Sequence, residues 1–312
     1  MMIDENLIIT EYPEFVLLDK KYRKSLKPLF LSLKDGISEL TFDSLLIHNG
    51  KFNHKISKIP NSNSYILVGN DEHDEKIKTF FSILQGEENL FENQNFVQNI
   101  LPQCFNQFKF WKLMSQSQFE KYSELLQKMN YKVEFDRDNS DYIYNRTDLA
   151  NLPGKDFHKK KNLVNAFLKN ENISVKNLDS TNTNDALKIL NLWKEGRDLN
   201  QTDYYQCIDA LKDIENNNSI LSGIIAYVEE NPVAWSLGEF LPDEKTYLVH
   251  FEKGDSNYKG VYQFINNETA KNLPETVLFI NREQDLGDEG LRQAKMTYRP
   301  CGFINKYLAY KV

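Results

Sequence analysis

Apolar and polar positions change rhythm several times along this chain, and each change marks an element. In the N-terminal half, "SYILVG" reads as a strand, "DEKIKTFFSILQG" as helical and "NFVQNILPQCF" as a second helical stretch. "FKFWKLM" follows as a strand, then "SQSQFEKYSELLQKMN" as an amphipathic helix opened by serine caps, then "YKVEFD" and "DYIYNR" as two further strands. The polar run "KNENISVKNLDSTNTNDA" has few large apolar residues and predicts a junction near residue 170, dividing the chain into 1–170 and 171–312. Beyond it, "ALKILNLWKEG" and "DYYQCIDALKDI" have helical spacing, and "SGIIAYVEENPVAWSLGEF" reads as two strands turning around Glu230, Asn231 and Pro232. "KTYLVHFEK" (strand), "YKGVYQFINNETAKNL" (helix), "ETVLFI" (strand), "DEGLRQAKMTY" (helix) and "INKYLAYKV" (strand) complete the order. Both halves are α/β with strand, helix, strand order, so a duplicated fold is expected from element order alone.

Composition narrows the class. The 312 residues are 40% hydrophobic and 12% aromatic, enough for two compact cores. No run approaches the roughly 18 apolar residues of a membrane span, and "MMIDENLIIT" lacks the pattern of a secretory signal, so no integral membrane segment and a cytoplasmic address are expected. Cys104, Cys207 and Cys301 are widely spaced, without a Cys-x-x-Cys or a nearby His. Neither a disulfide framework nor a metal site is expected. A net charge of -7 argues against a surface that grips polyanions everywhere; any anion must meet a local patch.

One such patch is "GKDFHKKKNLVNAFLK", which sets five lysines against one aspartate. On a helix, Phe157, Val164, Phe167 and Leu168 share one face, and Lys155, His158, Lys159, Asn162 and Lys169 another. Lys160 falls within the apolar face, where an ammonium must snorkel or meet an acid or phosphate. The segment reads equally as a solvated helix and as a cradle for a phosphate-bearing ligand. "EKGDSNYKGVYQ" is a second candidate: a strand-to-helix turn whose Gly260 would let the backbone approach a phosphate beside Lys253 and Lys259. Its plain alternative is an ordinary turn. On the preceding strand, alternation places His250 and Glu252 on one face, a spacing that suits a general base and its orienting carboxylate. A polar surface side explains them as well.

The densest charge lies in "FINREQDLGDEGLRQAKMTYRP". Asp288 is a natural N-cap, while Leu291, Ala294 and Tyr298 form a core stripe with Arg292 and Lys295 on the adjoining face. Arg282, Glu283, Asp285 and Arg292 form either a salt-bridged joint between loop and helix or a site in which an arginine binds an anionic group and Glu283 or Asp285 an amine.

At these segments a resemblance appears. "YIYNRTDLANLPGKDFHKKKNLVNAF" and "INREQDLGDEGLRQAKMTYRP" look like the two signature stretches of a bacterial family related to the C-terminal domain of phosphatidylglycerol lysyltransferases; "SELTFDSLLI" and "FEKGDSNYKGVYQFINNE" are similar to it too. The resemblance covers nearly the whole chain from about Ser38. It implies two GNAT-type acyltransferase folds in tandem, with a donor at a strand-to-helix turn and oxyanion-stabilising N–H groups at a splayed strand. Carried onto this sequence, the ligand residues are Lys155, His158, Lys159 and Asn162; Lys253, Lys259, Gly260 and Tyr262; and Asn281, Arg282, Glu283, Asp285, Gly287, Arg292 and Lys295. Lys160 joins them from the residue reading, as do His250 and Glu252 as catalytic candidates beside Glu283 and Asp285.

The implied donor is aminoacyl-tRNA or an acyl-CoA, and the implied acceptor a small molecule or lipid headgroup. "GDSNYKGV" departs from the Gln/Arg-x-x-Gly-x-Gly/Ala pattern that wraps coenzyme A, which counts against acetyl-CoA, and no membrane-spanning half accompanies the motifs. Three readings result: an acyl or aminoacyl transferase, a non-catalytic binding module of the same fold, and an atypical CoA-dependent acetyltransferase.

Overall fold

The computed structural model describes residues 7–70, 78–85, 89–199, 202–216 and 219–312. Two mixed sheets of seven strands each organise them. The chain divides into two compact units, residues 1–140 with 304–312, and residues 141–303. The polar run suggests a junction near 170, but strand Asp141–Asn145 pairs with Phe279–Asn281, which ties residues 141–170 to the second unit.

The first sheet contains β1 (Val16–Leu17), β2 (Lys55–Lys58), β3 (Tyr65–Asn70), β4 (Thr79–Leu84), β5 (Phe110–Ser115) and β6 (Tyr131–Phe135). The last strand of the chain, here β14 (Lys306–Lys311), lies between β5 and β6. Five helices accompany it: α1 (Arg23–Ser32), α2 (Phe42–Ile47), α3 (Asn49–Phe52), α4 (Leu101–Phe108) and α5 (Gln116–Lys128). Helix α5 starts where the serines predict it, with a reciprocal capping box between Ser115 and Gln118. "DEKIKTFFSILQG" is not helical where it is described. Its residues Thr79–Leu84 are β4, paired antiparallel with β3 and parallel with β5; residues 74–77 and 86 lie outside the described residues. Thr79, Phe80, Phe81 and Ile83 favour a pleated, two-sided buried strand, and the partners on both edges decide the outcome.

The second sheet runs β13-β7-β12-β11-β10-β9-β8, with β7 (Asp141–Asn145), β8 (Ile173–Asn177), β9 (Ser222–Val228), β10 (Asn231–Phe240), β11 (Thr246–Gly254), β12 (Phe279–Asn281) and β13 (Gly302–Ile304). Strands β8 to β11 form an antiparallel meander. The helices are α6 (Arg146–Asn151), α7 (His158–Phe167), α8 (Thr183–Trp193), α9 (Tyr204–Glu215), α10 (Val261–Asn272) and α11 (Glu289–Met296). Helix α10 carries the chain from β11 to the parallel strand β12, and its Val261, Phe264 and Ile265 pack with Val164 and Phe167 of α7 over Ile224, Ala226 and Ala234. The lysine-rich segment is therefore a packed helix of this unit. Phe157, Val164 and Phe167 face inward as predicted, whereas Leu168 is exposed.

Candidate functional site

Strand β12 pairs with β11 over three residues only, ending at Leu248 opposite Asn281. The Arg282 N–H then turns to the Tyr142 carbonyl at 3.0 Å, while β11 continues to Gly254. Two parallel strands thus part, and the loop after β12 faces the bare length of β11.

A bulge shapes that length. Leu237 of β10 pairs with Phe251 and Gly238 with Val249, so His250 is an extra residue without a partner opposite it. Tyr247 and Val249 cluster with Ala270 of α10, and Glu252 is bonded to Asn266 of the same helix, so the α10-facing set skips from 249 to 252. Simple alternation, on which the pairing of His250 with Glu252 rests, breaks at the bulge. Glu252 does not orient His250. Its carboxylate accepts from Asn266 Nδ2 at 3.1 Å and from an Arg282 guanidinium nitrogen.

The loop itself is tightly built. Asn281 is fully buried; its Nδ2 donates to Asp141 at 3.2 Å and its Oδ1 accepts from the Glu283 N–H at 2.8 Å. Such a side-chain turn bends the chain back and holds Glu283 at φ 56°, a left-handed conformation that costs a non-glycine residue about 1 kcal/mol or more. Asp285, also fully buried, accepts two bonds from Arg292 (2.9 and 2.7 Å), one from the Tyr142 hydroxyl (2.5 Å) and one from the Gly287 N–H (3.0 Å). Burial alone would raise its pKa, but these donors hold the carboxyl well below the usual carboxylate range. A carboxylate so held is a weak base, and with Arg292 it forms the structural joint. Lys295 Nζ caps the carbonyls of Arg282, Glu283 and Gln284, the last two at 3.1 and 2.6 Å. Burial, reinforced by Arg282, lowers its pKa to about 8.

Helix α11 is rotated from the predicted stripe: Tyr298 is buried as expected, but Lys295 is buried with it, while Leu291 and Ala294 are exposed. Asp288 caps it as expected, accepting from the Leu291 N–H at 2.7 Å.

With the loop fixed, two side chains reach toward β11. Arg282 lies 4.9 Å from the Tyr298 ring centre and 5.8 Å from that of Tyr144. Lys160, half-buried, lies 4.1 Å from the same Tyr298 ring. Burial, then Arg282, lowers the Lys160 pKa, and burial pushes Tyr298 up to about 12. Glu283 accepts from His250 Nδ1 at 3.0 Å, and His250 Nε2 donates to Glu239 at 2.9 Å. Burial would depress the imidazole, but the two carboxylates outweigh it and raise its pKa to about 10. The two carboxylates favour the protonated ring, which counts against the general base expected from sequence.

The other predicted residues have different surroundings. Lys155, His158, Lys159, Asn162 and Lys259 are exposed. Lys253 is buried against Asp203 at 2.7 Å and lies 4.4 Å from the Trp193 ring centre, a structural ion pair. Tyr262 donates to the Gly254 carbonyl at 3.0 Å. Gly260, at φ 86°, starts α10, and a Cβ there would stand 2.0 Å from the Leu163 carbonyl oxygen. It serves the contact between α10 and α7 instead of an approach by phosphate. Sequence reasoning missed Glu239 and Asn266, although a glutamate inside the apolar strand "AWSLGEF" is itself a signal, since a buried acid needs a partner. Among the described residues, no group of three His, Cys, Asp or Glu side chains is placed to hold a metal ion.

The family model described as phosphatidylglycerol lysyltransferase, C-terminal, matches residues 106–310, which include every element of this site. The chain belongs to that family. A phosphatidylglycerol lysyltransferase C-terminal match of this extent takes in the whole second sheet. An uncharacterized protein of Mycoplasmoides gallisepticum is 23% identical over 191 residues, 58% of this chain and 59% of its own length, so the chain spans about three fifths of that relative. Among solved structures, a conserved protein of unknown function from Bacteroides thetaiotaomicron has a TM-score of 0.81 at 24% identity, covering 96% of this chain and 99% of that one. L-PGS from Bacillus licheniformis has 0.60 at 14%, covering 98% and 94%. A tandem GNAT protein from the clavulanic acid biosynthesis pathway has 0.50 at 7%, covering 95% and 97%. The fold is GNAT-like and mixed α/β, as the resemblance implied. No helix among the described residues is long and apolar enough to cross a membrane.

Proposed function

We propose that residues 141–303 form an acyl or aminoacyl transferase domain acting in the cytoplasm, with its site where β11 and β12 part. The observation that carries this reading is the placement of Arg282 and Lys160 around the Tyr298 ring at that opening. Two cations on one ring, only one of them paired with a carboxylate among the described residues, suit an anionic donor such as aminoacyl-tRNA. In the reaction, the acceptor's nitrogen or oxygen bonds to the acyl carbon, the ester C–O bond breaks, and the acceptor's proton ends on the departing hydroxyl. An acyl ester is already activated, so positioning and backbone N–H donors along β11 supply most of what is needed. The acceptor is a small amine or alcohol, or a lipid headgroup.

A non-catalytic binding module is the second reading, favoured by one observation: His250 and Asp285 are both committed to ion pairs and neither is available as a base. The CoA-dependent reading is weakened by Gly260, whose open side is taken by Leu163. Thermal unfolding with charged tRNA, acetyl-CoA and CoA separates the three. A ligand at 100 times its Kd adds about 2.7 kcal/mol. The transferase reading expects a shift with charged tRNA that Arg282→Ala and Lys160→Ala abolish; a shift with CoA alone would reject it.

A further inference from the structure

Glu239, His250 and Glu283 form a chain of three ionisable side chains whose exposure rises toward one end. The His250 side chain is 0% exposed, that of Glu239 5% and that of Glu283 23%. Both imidazole nitrogens face carboxylate oxygens, at 2.9 and 3.0 Å. A neutral ring would set a lone pair against a carboxylate on one side, so with both carboxyls ionised both contacts are hydrogen bonds only when both nitrogens carry protons. The bulge that leaves His250 unpaired in the strand register aims it at Glu283, and the Asn281 turn brings Glu283 to meet it.

One Glu283 oxygen is thereby fixed. Among the described residues no donor is bonded to the other, and the group is the only one of the three that solvent reaches appreciably. The neighbouring cations are committed elsewhere: Lys295 Nζ to three loop carbonyls and Arg282 to Glu252. The three groups together carry one net negative charge, which suits a cation at the open oxygen.

We propose that Glu239 and His250 are positioning residues that hold the Glu283 carboxylate as the amine-binding group of the opening between β11 and β12. Glu283 would touch the protonated amine of a substrate; His250 fixes its rotamer, and Glu239 fixes His250. The proposal rests on the transferase reading for the substrate's place in the reaction, but the brace is testable without turnover.

The first measurement is the imidazole ¹⁵N spectrum of His250 in the wild-type protein. Two protonated nitrogens at pH 7.5 are expected; a single neutral tautomer overturns the proposal. The second is a titration with glycinamide, a cation, against N-acetylglycinamide, which is neutral. Glycinamide should shift the Glu283 carboxyl and His250 ring signals, and the acetylated compound should not. Glu283→Gln and Glu239→Gln should each weaken glycinamide binding by at least about tenfold, with Glu239→Asp restoring part of it while the fold is retained. Equal binding in folded Glu239→Gln, or equal response to both compounds, would overturn it. Protonated His250 with glycinamide binding but no acyl transfer from any donor would retain the brace and reject the transferase reading. Transfer with a neutral His250 would do the reverse.

Discussion

In each unit a pair of parallel strands parts after a short run, β4 and β5 in the first and β11 and β12 in the second, and the two openings are treated oppositely. In the first unit β4 pairs with β5 only at Phe80↔Phe110 and Phe81↔Trp111. Around and beyond these pairs the opening is filled: Phe81 lies edge-on to Phe105 with ring centres 5.1 Å apart and sits 5.9 Å from Trp111, Ser82 donates to the Lys112 carbonyl at 2.8 Å, and Gln118 Nε2 donates to the Ile83 carbonyl at 3.0 Å. In the second unit β11 extends past β12 carrying His250 and Glu252, faced by Arg282 and Glu283. One strand arrangement, filled with aromatic rings, makes a scaffold; lined with partly exposed ions, it makes a candidate site. The buried histidines repeat the contrast. His54 bonds to the Leu45 carbonyl at 2.9 Å and stacks on Phe52, and burial lowers its pKa to about 4. His250, between two carboxylates, is raised to about 10.

The contrast can be broken at several points. The largest expected effect is on stability: Asp285→Ala leaves Arg292 without its buried partner and should cost roughly 3–5 kcal/mol in denaturant unfolding. A cost below about 1 kcal/mol would mean that the joint is ornamental. Trp111→Ala should cost a similar ~3–5 kcal/mol by opening a cavity in the first unit, yet leave the imidazole signals of His250 unmoved. Movement of those signals would show that the two openings are not independent.

Smaller effects come from proton linkage. The raised pKa of His250 contributes stability fully present below its unfolded value near 6.5 and lost as pH rises through about 10. His54 has the opposite sign: the unfolded state takes up a proton that the folded state refuses, so its contribution is present above about 6.5 and lost as pH falls toward about 4. Replacing His54 by Gln should flatten the acid side of the stability curve, and replacing His250 by Gln the alkaline side. The same slopes in variant and wild type would contradict the assignment. The least effect is expected from Lys159→Ala, whose side chain is exposed; its stability should stay within about 0.5 kcal/mol of wild type.

Much of this architecture is legible in the sequence. Strand and helix periods locate most elements from β5 onward but not β1, β2, α1 to α3, α6 or β8, the last of which lies inside the polar run read as a junction, and the charged run after β12 marks the loop that holds Arg282 and Glu283. Direction is harder to read. Two-residue alternation fails at a bulge, so His250 and Glu252 separate; of the helical stripe Leu291, Ala294 and Tyr298 only Tyr298 is buried, and Lys295 is drawn inward by three loop carbonyls. The lysines at 155 and 159 draw attention through charge, whereas Lys160, placed in the apolar face, is the one that meets an aromatic ring beside Arg282. The role of Glu239 stays hidden because its partner lies on the next strand, eleven residues on, and only the strand pairing brings the two together.

The most direct test of the central claim is discharge of a labelled, mixed aminoacyl-tRNA pool into excess amine acceptor by wild type, Arg282→Ala and Trp111→Phe. The expected result is discharge above the spontaneous rate by wild type and Trp111→Phe, reduced by roughly 10²-fold in Arg282→Ala. Equal discharge by wild type and a folded Arg282→Ala would contradict it.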